Sequence, residues 1–241
     1  MSDSRIHVVF FDAAETLFHV QGSVAEIYLQ YAERHGFRKT PESLSAIKAA
    51  FGRAFREAPP PVFAAMEPAA IKQSERLWWF DIVHNVFYRV GMFDKFDEFF
   101  EEVFAAFEQP DAWRLYPETE DVLKFLKEQG YELGIISNFD SRLFSLLRGL
   151  GIADYFDTIT ISSLAHAAKP SARIFQQALE KHVVDPEEAL HVGDSERDDV
   201  KGAQAVGLTG VLLARGTPPS PSSGPIITNL TELVPLLSGL K

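Results

Sequence analysis

The sequence predicts an α/β fold built on a parallel sheet, from two observations along its 241 residues. Short, nearly continuous apolar runs recur, as in strands covered on both faces, at residues 6–11, 132–137, 158–162, 189–192 and 210–213. Each of the first four is followed by a helix-like segment, at residues 141–150, 171–182 and 197–206 among others. Strands that alternate with helices imply an open parallel sheet with right-handed crossovers.

The stretch after the first strand breaks this alternation and predicts a second domain. From about residue 22 to residue 113 the sequence reads as wholly helical, and apolar residues recur at helical spacing at Phe96, Phe99, Phe100, Val103, Phe104 and Phe107. Three prolines after Ala58 form a stiff break between helices. We therefore expect a core domain over residues 1–20 and 114–241, with an inserted helical domain over residues 21–113. A Pro/Ser/Gly loop at residues 217–225 and a short helix at residues 229–237 end the core.

The composition excludes several classes of function. A net charge of −11 without a basic run argues against a nucleic-acid-binding surface, and it requires any phosphate pocket to be basic locally. The absence of cysteine rules out disulfides and thiolate chemistry. No apolar stretch approaches the roughly 20 residues that span a bilayer, and the N-terminus shows no signal-peptide pattern. We expect a cytoplasmic protein that binds neither nucleic acid nor membrane.

Polar residues follow four of the predicted strands at the point where each strand ends. Asp12 closes the first strand, and Ser137 with Asn138 closes the second. Lys169 lies in the loop after the third, and Asp194 closes the fourth. Each alone has an ordinary explanation as a cap or turn residue. Because ligands of open parallel sheets gather at the carboxyl ends of the strands, four in this order indicate one site.

The residue types at these strand ends predict displacement through a covalent intermediate. Asp12 and Asp194 bring two carboxylates together, which repel unless a hard cation such as Mg²⁺ lies between them. Ser137 can donate to an anionic substrate, and Lys169 can neutralise charge that builds up on the transferred group. A carboxylate nucleophile beside a cation and a lysine suits an aspartyl intermediate.

Four motifs resemble those of the haloacid dehalogenase (HAD) superfamily, and together they cover nearly the whole chain. The segment DAAETL from Asp12 resembles motif I, and IISN up to Asn138 resembles motif II. Lys169-Pro170 resembles motif III, and HVGDSERDD up to Asp199 resembles motif IV. The segments ISNFDSRL, KPSARIFQ and HVGDS are similar to the rhythmically-expressed-gene-like branch of subfamily IA. The resemblance implies a Rossmann-like α/β core with an inserted α-helical cap of the C1 type, which closes over the site.

The resemblance also implies roles for the residues that match the motifs. Asp12 would be the nucleophile, and Lys169 would steady both the nucleophile and the transferring group. Thr16, Ser137 and Asn138 would contact the phosphate or substrate.

The same resemblance implies a Mg²⁺ site. Its ligands would be Asp12, the backbone carbonyl of Ala14, and Asp194. The second acid of motif IV would complete the site, and the usual spacing places it at Asp199, with Asp198 as the shorter-spaced alternative.

Position 14 departs from the family pattern. The phosphatases of the family carry a second Asp there, which protonates the leaving alcohol, whereas this chain has Ala14. Such a general acid typically contributes about 10²–10⁴-fold in rate. A phosphatase therefore needs a leaving group that requires little help, or a proton from Glu15, His19, the cap or the substrate. Glu15 also replaces the usual Gly of the motif.

Two other interpretations stay open. The target is a C–P or C–halogen bond, since phosphonatases and dehalogenases also lack that Asp, or the chain binds a phosphorylated ligand without turnover. A phosphonatase needs a Schiff-base lysine in its cap, and Lys48 and Lys72 are the internal candidates before Lys95. We favour a Mg²⁺-dependent hydrolase acting on a small phosphorylated or otherwise anionic substrate, as a monomer or homodimer.

Overall fold

The computed structural model describes residues 6–216 and 222–239, and these divide into two compact units. One unit is an α/β domain formed by the described residues up to His19 and from Leu115 onward. The other is a helical unit, Val20–Arg114. The predicted loop at residues 217–225 lies partly outside the described residues.

The described residues form eight strands, most of them short. They are β1 (Val8–Phe11), β2 (Phe18–Val20), β3 (Trp113–Leu115), β4 (Glu132–Ser137), β5 (Thr158–Ile161), β6 (Ala189–Gly193), β7 (Thr209–Leu213) and β8 (Ile226–Ile227). Six of them form one sheet in the order β5-β4-β1-β6-β7-β8, and every neighbouring pair in it is parallel. The predicted parallel α/β fold is therefore confirmed, while β8 and the separate pair β2-β3 were not predicted.

Ten α-helices connect and surround these strands in the described part of the chain. They are α1 (Val24–Arg34), α2 (Ser43–Glu57), α3 (Pro68–Val90), α4 (Phe96–Ala106), α5 (Thr119–Glu128), α6 (Arg142–Gly149), α7 (Ser162–Ala165), α8 (Ala172–His182), α9 (Gly202–Gln204) and α10 (Leu233–Gly239). Short 3₁₀ turns lie at Pro110–Ala112, Ala153–Tyr155, Pro186–Glu188 and Leu230–Glu232. None of the described helices has both the length and the apolar character that crossing a bilayer requires.

Local sequence signals explain where several helices begin and end. The side chain of Ser23 accepts a hydrogen bond from the backbone N–H of Glu26 and so caps α1. Ser171 caps α8 in the same way. Pro68 occupies the first turn of α3, where its missing N–H costs nothing. Gly91 ends that helix at a φ of 129°, a backbone conformation that only glycine adopts easily.

The core of the α/β unit lies against a sheet whose central strand is buried on both faces. All four residues of β1 are buried, as the apolar run at residues 6–11 predicted. Phe10 packs with Ile174, Phe175 and Ala178 of α8. Each fully buried side chain of this size contributes about 1.5–3 kcal/mol relative to its exposed state.

The helical unit has a core of its own that is rich in aromatic rings. Phe96, Phe99 and Phe100 on α4 are buried, which confirms part of the predicted apolar face. They pack with Phe87 of α3 and Tyr28 of α1. The ring centroids of Phe87 and Phe99 lie 4.9 Å apart, in an edge-to-face arrangement that aromatic pairs favour.

One predicted helix, at residues 197–206, has a different form in the structure. A single π-helical turn, Glu196–Lys201, precedes the short helix α9. The widened turn arises because the carbonyl of Ser195 accepts hydrogen bonds from the N–H groups of both Asp199 and Val200. Such turns are frequent at functional sites. This one carries Asp199 to the end of β6.

Candidate active site

The nucleophile candidate, Asp12, lies directly after the central strand of the sheet. Its backbone N–H donates to the carbonyl of Val192 at 2.9 Å, so β6 holds it in register. Strand β1 has β4 on one side and β6 on the other, which makes its carboxyl end a point where the topology switches. The side chain of Asp12 keeps only 12% of its surface exposed.

Lys169 joins two carboxylates at this edge of the sheet. Its Nζ lies 2.7 Å from Oδ1 of Asp12 and 2.5 Å from Oδ1 of Asp199. Burial alone would lower the pKa of Lys169, but these two negative charges outweigh burial and raise it. The lysine therefore stays protonated and holds Asp12 in its ionised form.

The side chain of Asn138 fixes the backbone of Lys169. Its Oδ1 accepts from the N–H of Lys169 at 2.7 Å, and its Nδ2 donates to the carbonyl of the same residue at 3.0 Å. The sequence predicted that Asn138 contacts the substrate. In the structure its amide is instead engaged with the loop that delivers the lysine, which gives it a positioning role.

Asp199 is held at the site by three donors. Besides Lys169, Nε2 of His191 lies 2.9 Å from its Oδ1, and the N–H of Ser195 donates to Oδ2 at 2.9 Å. Burial alone would raise the pKa of Asp199, but Lys169 and His191 lower it. Burial lowers the pKa of His191, which keeps the imidazole neutral and makes Nε2–H the donor.

Gly193, the last residue of β6, makes room for the Asp199 carboxylate. A Cβ atom built on Gly193 would collide with all three atoms of that carboxylate. The glycine of the HVGD segment is therefore required by close packing of a functional side chain against the backbone.

Asp194 brings a third carboxylate to the cluster. One oxygen from each of Asp12, Asp194 and Asp199 lies within 4.8 Å of the others. Partial burial of Asp194 and the charges of Asp12 and Asp199 raise its pKa to about 7. Asp198 is not in this group, and its carboxylate faces the hydroxyl of Ser195 at 3.4 Å. The structure thus brings together the longer-spaced pair of acids in motif IV.

Two hydroxyl groups lie at the same strand ends. Ser137 is the last residue of β4 and is buried. Thr16 is fully buried, and its Oγ1 has no hydrogen-bond partner among the described residues. An unpaired buried hydroxyl costs stability, so its presence next to the carboxylate cluster in sequence is consistent with a ligand that accepts from it. Ala14, between Asp12 and Thr16, is partly buried.

A group of residues that the sequence did not single out supports the loop after Asp12. The guanidinium of Arg215 lies 3.4 Å from the ring centroid of Tyr116 and donates to the carbonyl of Thr16 at 2.9 Å. Arg215 is itself held by Glu118 at 2.7 Å. The Tyr116 hydroxyl donates to Oε2 of Glu15 at 3.1 Å. Nothing in the local sequence indicates these contacts, because they join residues about a hundred or more positions apart.

Comparison with known proteins agrees with this geometry. A family model described as a haloacid dehalogenase-like hydrolase matches residues 6–207. The chain is 31% identical to the human haloacid dehalogenase-like hydrolase domain-containing protein 3, over 98% of this chain and 96% of that protein. It is also 36% identical to a phosphoserine phosphatase of Thermus thermophilus, over 50% of this chain and 49% of the other.

Solved structures share the fold. A HAD phosphatase from Thermococcus onnurineus aligns over 97% of this chain and 99% of its own, with a TM-score of 0.68 and 26% identity. The L-2-haloacid dehalogenase RSc1362 aligns with a TM-score of 0.72 over 97% and 99% of the two chains, and at 20% identity it shows the fold alone. The chain belongs to the haloacid dehalogenase-like hydrolases.

Proposed function

We propose that this hydrolase is a Mg²⁺-dependent phosphatase that acts on a small phosphorylated metabolite through an aspartyl-phosphate at Asp12. The observation that carries the proposal is the position of Lys169, which bonds Asp12 and Asp199 at once beside Asp194. The inserted helical unit, Val20–Arg114, is proposed as the cap domain of the family.

Each half of Asp12 has a separate task in this proposal. The oxygen that Lys169 holds fixes the side chain, and the other oxygen attacks phosphorus. Lys169 also offsets the negative charge that grows on the transferring phosphoryl group. The hydroxyls of Thr16 and Ser137 are proposed to donate to the phosphoryl oxygens.

The donor set fits Mg²⁺. Hard oxygen ligands are what this ion prefers, and Asp12 and Asp194 offer carboxylate oxygens within the 4.8 Å cluster. We propose these two residues and the carbonyl of Ala14 as the ligands. When bound, the ion supplies charge neutralisation at the phosphoryl group. Asp199 already accepts from Lys169, His191 and Ser195, so we assign it mainly to holding the lysine.

The alanine at position 14 narrows the substrate class. No side-chain acid at that position can protonate a departing alkoxide, a role typically worth about 10²–10⁴-fold. Phosphate anhydrides, acyl phosphates and aryl phosphates have leaving groups that depart without a proton. We propose these over unactivated alkyl esters.

Hydrolysis at a C–P bond has little support in the helical unit. A Schiff-base lysine is activated by a desolvated pocket or a cationic neighbour. The residues that could serve, Lys48, Lys72 and Lys95, are all exposed.

The proposal is tested on 4-nitrophenyl phosphate, whose leaving group needs no acid. Turnover is expected with Mg²⁺, is expected to stop on chelation, and is expected to disappear in Asp12→Asn. Glu187→Gln, an exchange in a surface 3₁₀ turn, is the control and keeps full activity. Metal-independent turnover, or wild-type turnover in Asp12→Asn, would show the assignment to be wrong.

A further inference from the structure

Glu15 is held in an unfavourable backbone conformation. Its φ is 60°, in the left-handed region where residues other than glycine, asparagine and aspartate are rare. A residue with a Cβ atom loses stability there. Such outliers persist where the surroundings enforce them, and they cluster at functional sites. Here the N–H of Glu15 donates to the carbonyl of Phe18 at 2.7 Å, which closes the loop around it.

The carboxylate of Glu15 is oriented by Tyr116. The phenol donates to Oε2 at 3.1 Å, while Oε1 has no hydrogen-bond partner among the described residues. Partial burial and the nearby charge of Glu15 raise the pKa of Tyr116 to about 12, so the phenol keeps its proton and acts as a donor. The negative charge of Asp194 contributes to the same shift, which places Tyr116 within electrostatic reach of the carboxylate cluster.

Tyr116 is itself fixed on both sides. Arg215 lies against its ring at 3.4 Å from the centroid, and the ring of His19 lies 4.8 Å away. Because Arg215 also holds the carbonyl of Thr16, the residue after Glu15, one cation anchors both the loop and the phenol. A surface carboxylate with no task needs neither the strained backbone nor this support.

We propose that Glu15 is the general base of the second half-reaction, and that Tyr116 is its positioning residue. The inference rests on the proposed phosphatase function. In the first half-reaction an oxygen of Asp12 attacks phosphorus and the P–O bond to the leaving group breaks, without a proton from the protein. In the second half-reaction a water oxygen attacks phosphorus and its proton passes to Oε1 of Glu15. The bond from phosphorus to Asp12 breaks, inorganic phosphate leaves, and Glu15 returns the proton to solvent.

Burst kinetics with 4-nitrophenyl phosphate and Mg²⁺ test this division of labour. In Glu15→Gln the first half-reaction is expected to keep its rate, while steady-state turnover falls by about 10²-fold or more. Each active site then releases one equivalent of nitrophenol in a burst, and an intact-mass spectrum shows the phosphorylated protein. Tyr116→Phe is expected to give the same pattern with a smaller fall.

Two glycine variants separate this role from folding. Glu15→Gly relieves the strained backbone, so it is expected to raise the melting temperature and still to show the burst. Val183→Gly is the matched control, because Val183 has a φ of 55° and is 91% exposed; it is expected to raise the melting temperature with unchanged kinetics. Wild-type steady-state turnover in Glu15→Gln, or an equal fall in burst and steady-state rates, would overturn the inference. Neither result would touch the phosphatase function, which fails only if Asp12→Asn or metal removal leaves turnover intact.

Discussion

Nζ of Lys169 lies 2.5 Å from Oδ1 of Asp199, and both side chains are almost completely buried. The contact connects the loop before α8 to the π-helical turn after β6, thirty residues apart. Because Lys169 also holds Asp12, the pair determines where the nucleophile stands.

Replacing Asp199 by Asn is expected to impair both stability and activity. The variant removes one partner of a buried ion pair, which typically costs about 3–5 kcal/mol, and the low end applies because Asp12 remains. Turnover of an aryl phosphate should fall about 10–100-fold, as for other residues that orient a catalytic group. Urea unfolding and steady-state kinetics measure the two effects.

Asp198→Asn is the matched control for that variant. Asp198 lies outside the carboxylate cluster, so its unfolding free energy should stay within about 0.5 kcal/mol of the wild-type value. Equal losses in the two variants would contradict the assignment of Asp199 as the functional acid of motif IV.

Gly193→Ala is expected to displace the Asp199 carboxylate. The added methyl group has no space, and overpacking of this kind typically costs about 1–3 kcal/mol. Phosphatase activity should fall with it, since Lys169 loses a correctly placed partner. Thermal unfolding and kinetics of the same sample measure both effects.

Gly52→Ala provides the comparison for the glycine exchange. Gly52 lies inside α2, and a Cβ there meets only the flexible end of Arg56, at 3.3 Å. Alanine is favoured over glycine in a helix by about 1 kcal/mol, so this variant should be more stable. A Gly193→Ala protein with wild-type stability and activity would show that the close packing is not required.

Magnesium binding is expected to depend on pH through Asp194. Its pKa of about 7 means that the metal-free protein retains a proton there that the unfolded chain has already lost. The free energy of unfolding of the metal-free protein therefore falls as pH rises from the usual carboxyl range towards 7. Because Mg²⁺ requires the carboxylate, its affinity should drop about tenfold for each pH unit below 7 and level off above about 8.

Calorimetric titration with Mg²⁺ at several pH values tests this linkage. Asp194→Asn should remove the pH dependence of metal-free stability together with most of the affinity for Mg²⁺. An affinity that is constant between about pH 5.5 and 8 would refute the linkage.

The sequence predicted the α/β fold and the order of its strand ends well, because apolar runs and polar strand ends are local signals. Asp12, Lys169, Asp194 and Asp199 meet in the structure as the four motifs implied. The π-helical turn at Glu196–Lys201 was not predictable in the same way, since it depends on one extra residue in a hydrogen-bonded ring.

The supporting contacts were not predictable from the sequence. Asn138 reads as a turn residue until its amide is seen on the backbone of Lys169. Tyr116 and Arg215 carry no motif, and their roles arise from contacts across about a hundred residues or more. Glu15 was visible only as an unusual residue, because its left-handed backbone is a property of the folded loop.

The central claim is that Asp12 carries the phosphoryl group. Its most direct test is mass spectrometry of the Glu15→Gln protein, quenched in acid during turnover of 4-nitrophenyl phosphate with Mg²⁺ and digested to peptides. We expect one phosphoryl group on Asp12, and none in the protein that also carries Asp12→Asn. A phosphoryl group on another residue, or turnover by the Asp12→Asn protein at the wild-type rate, would contradict the claim.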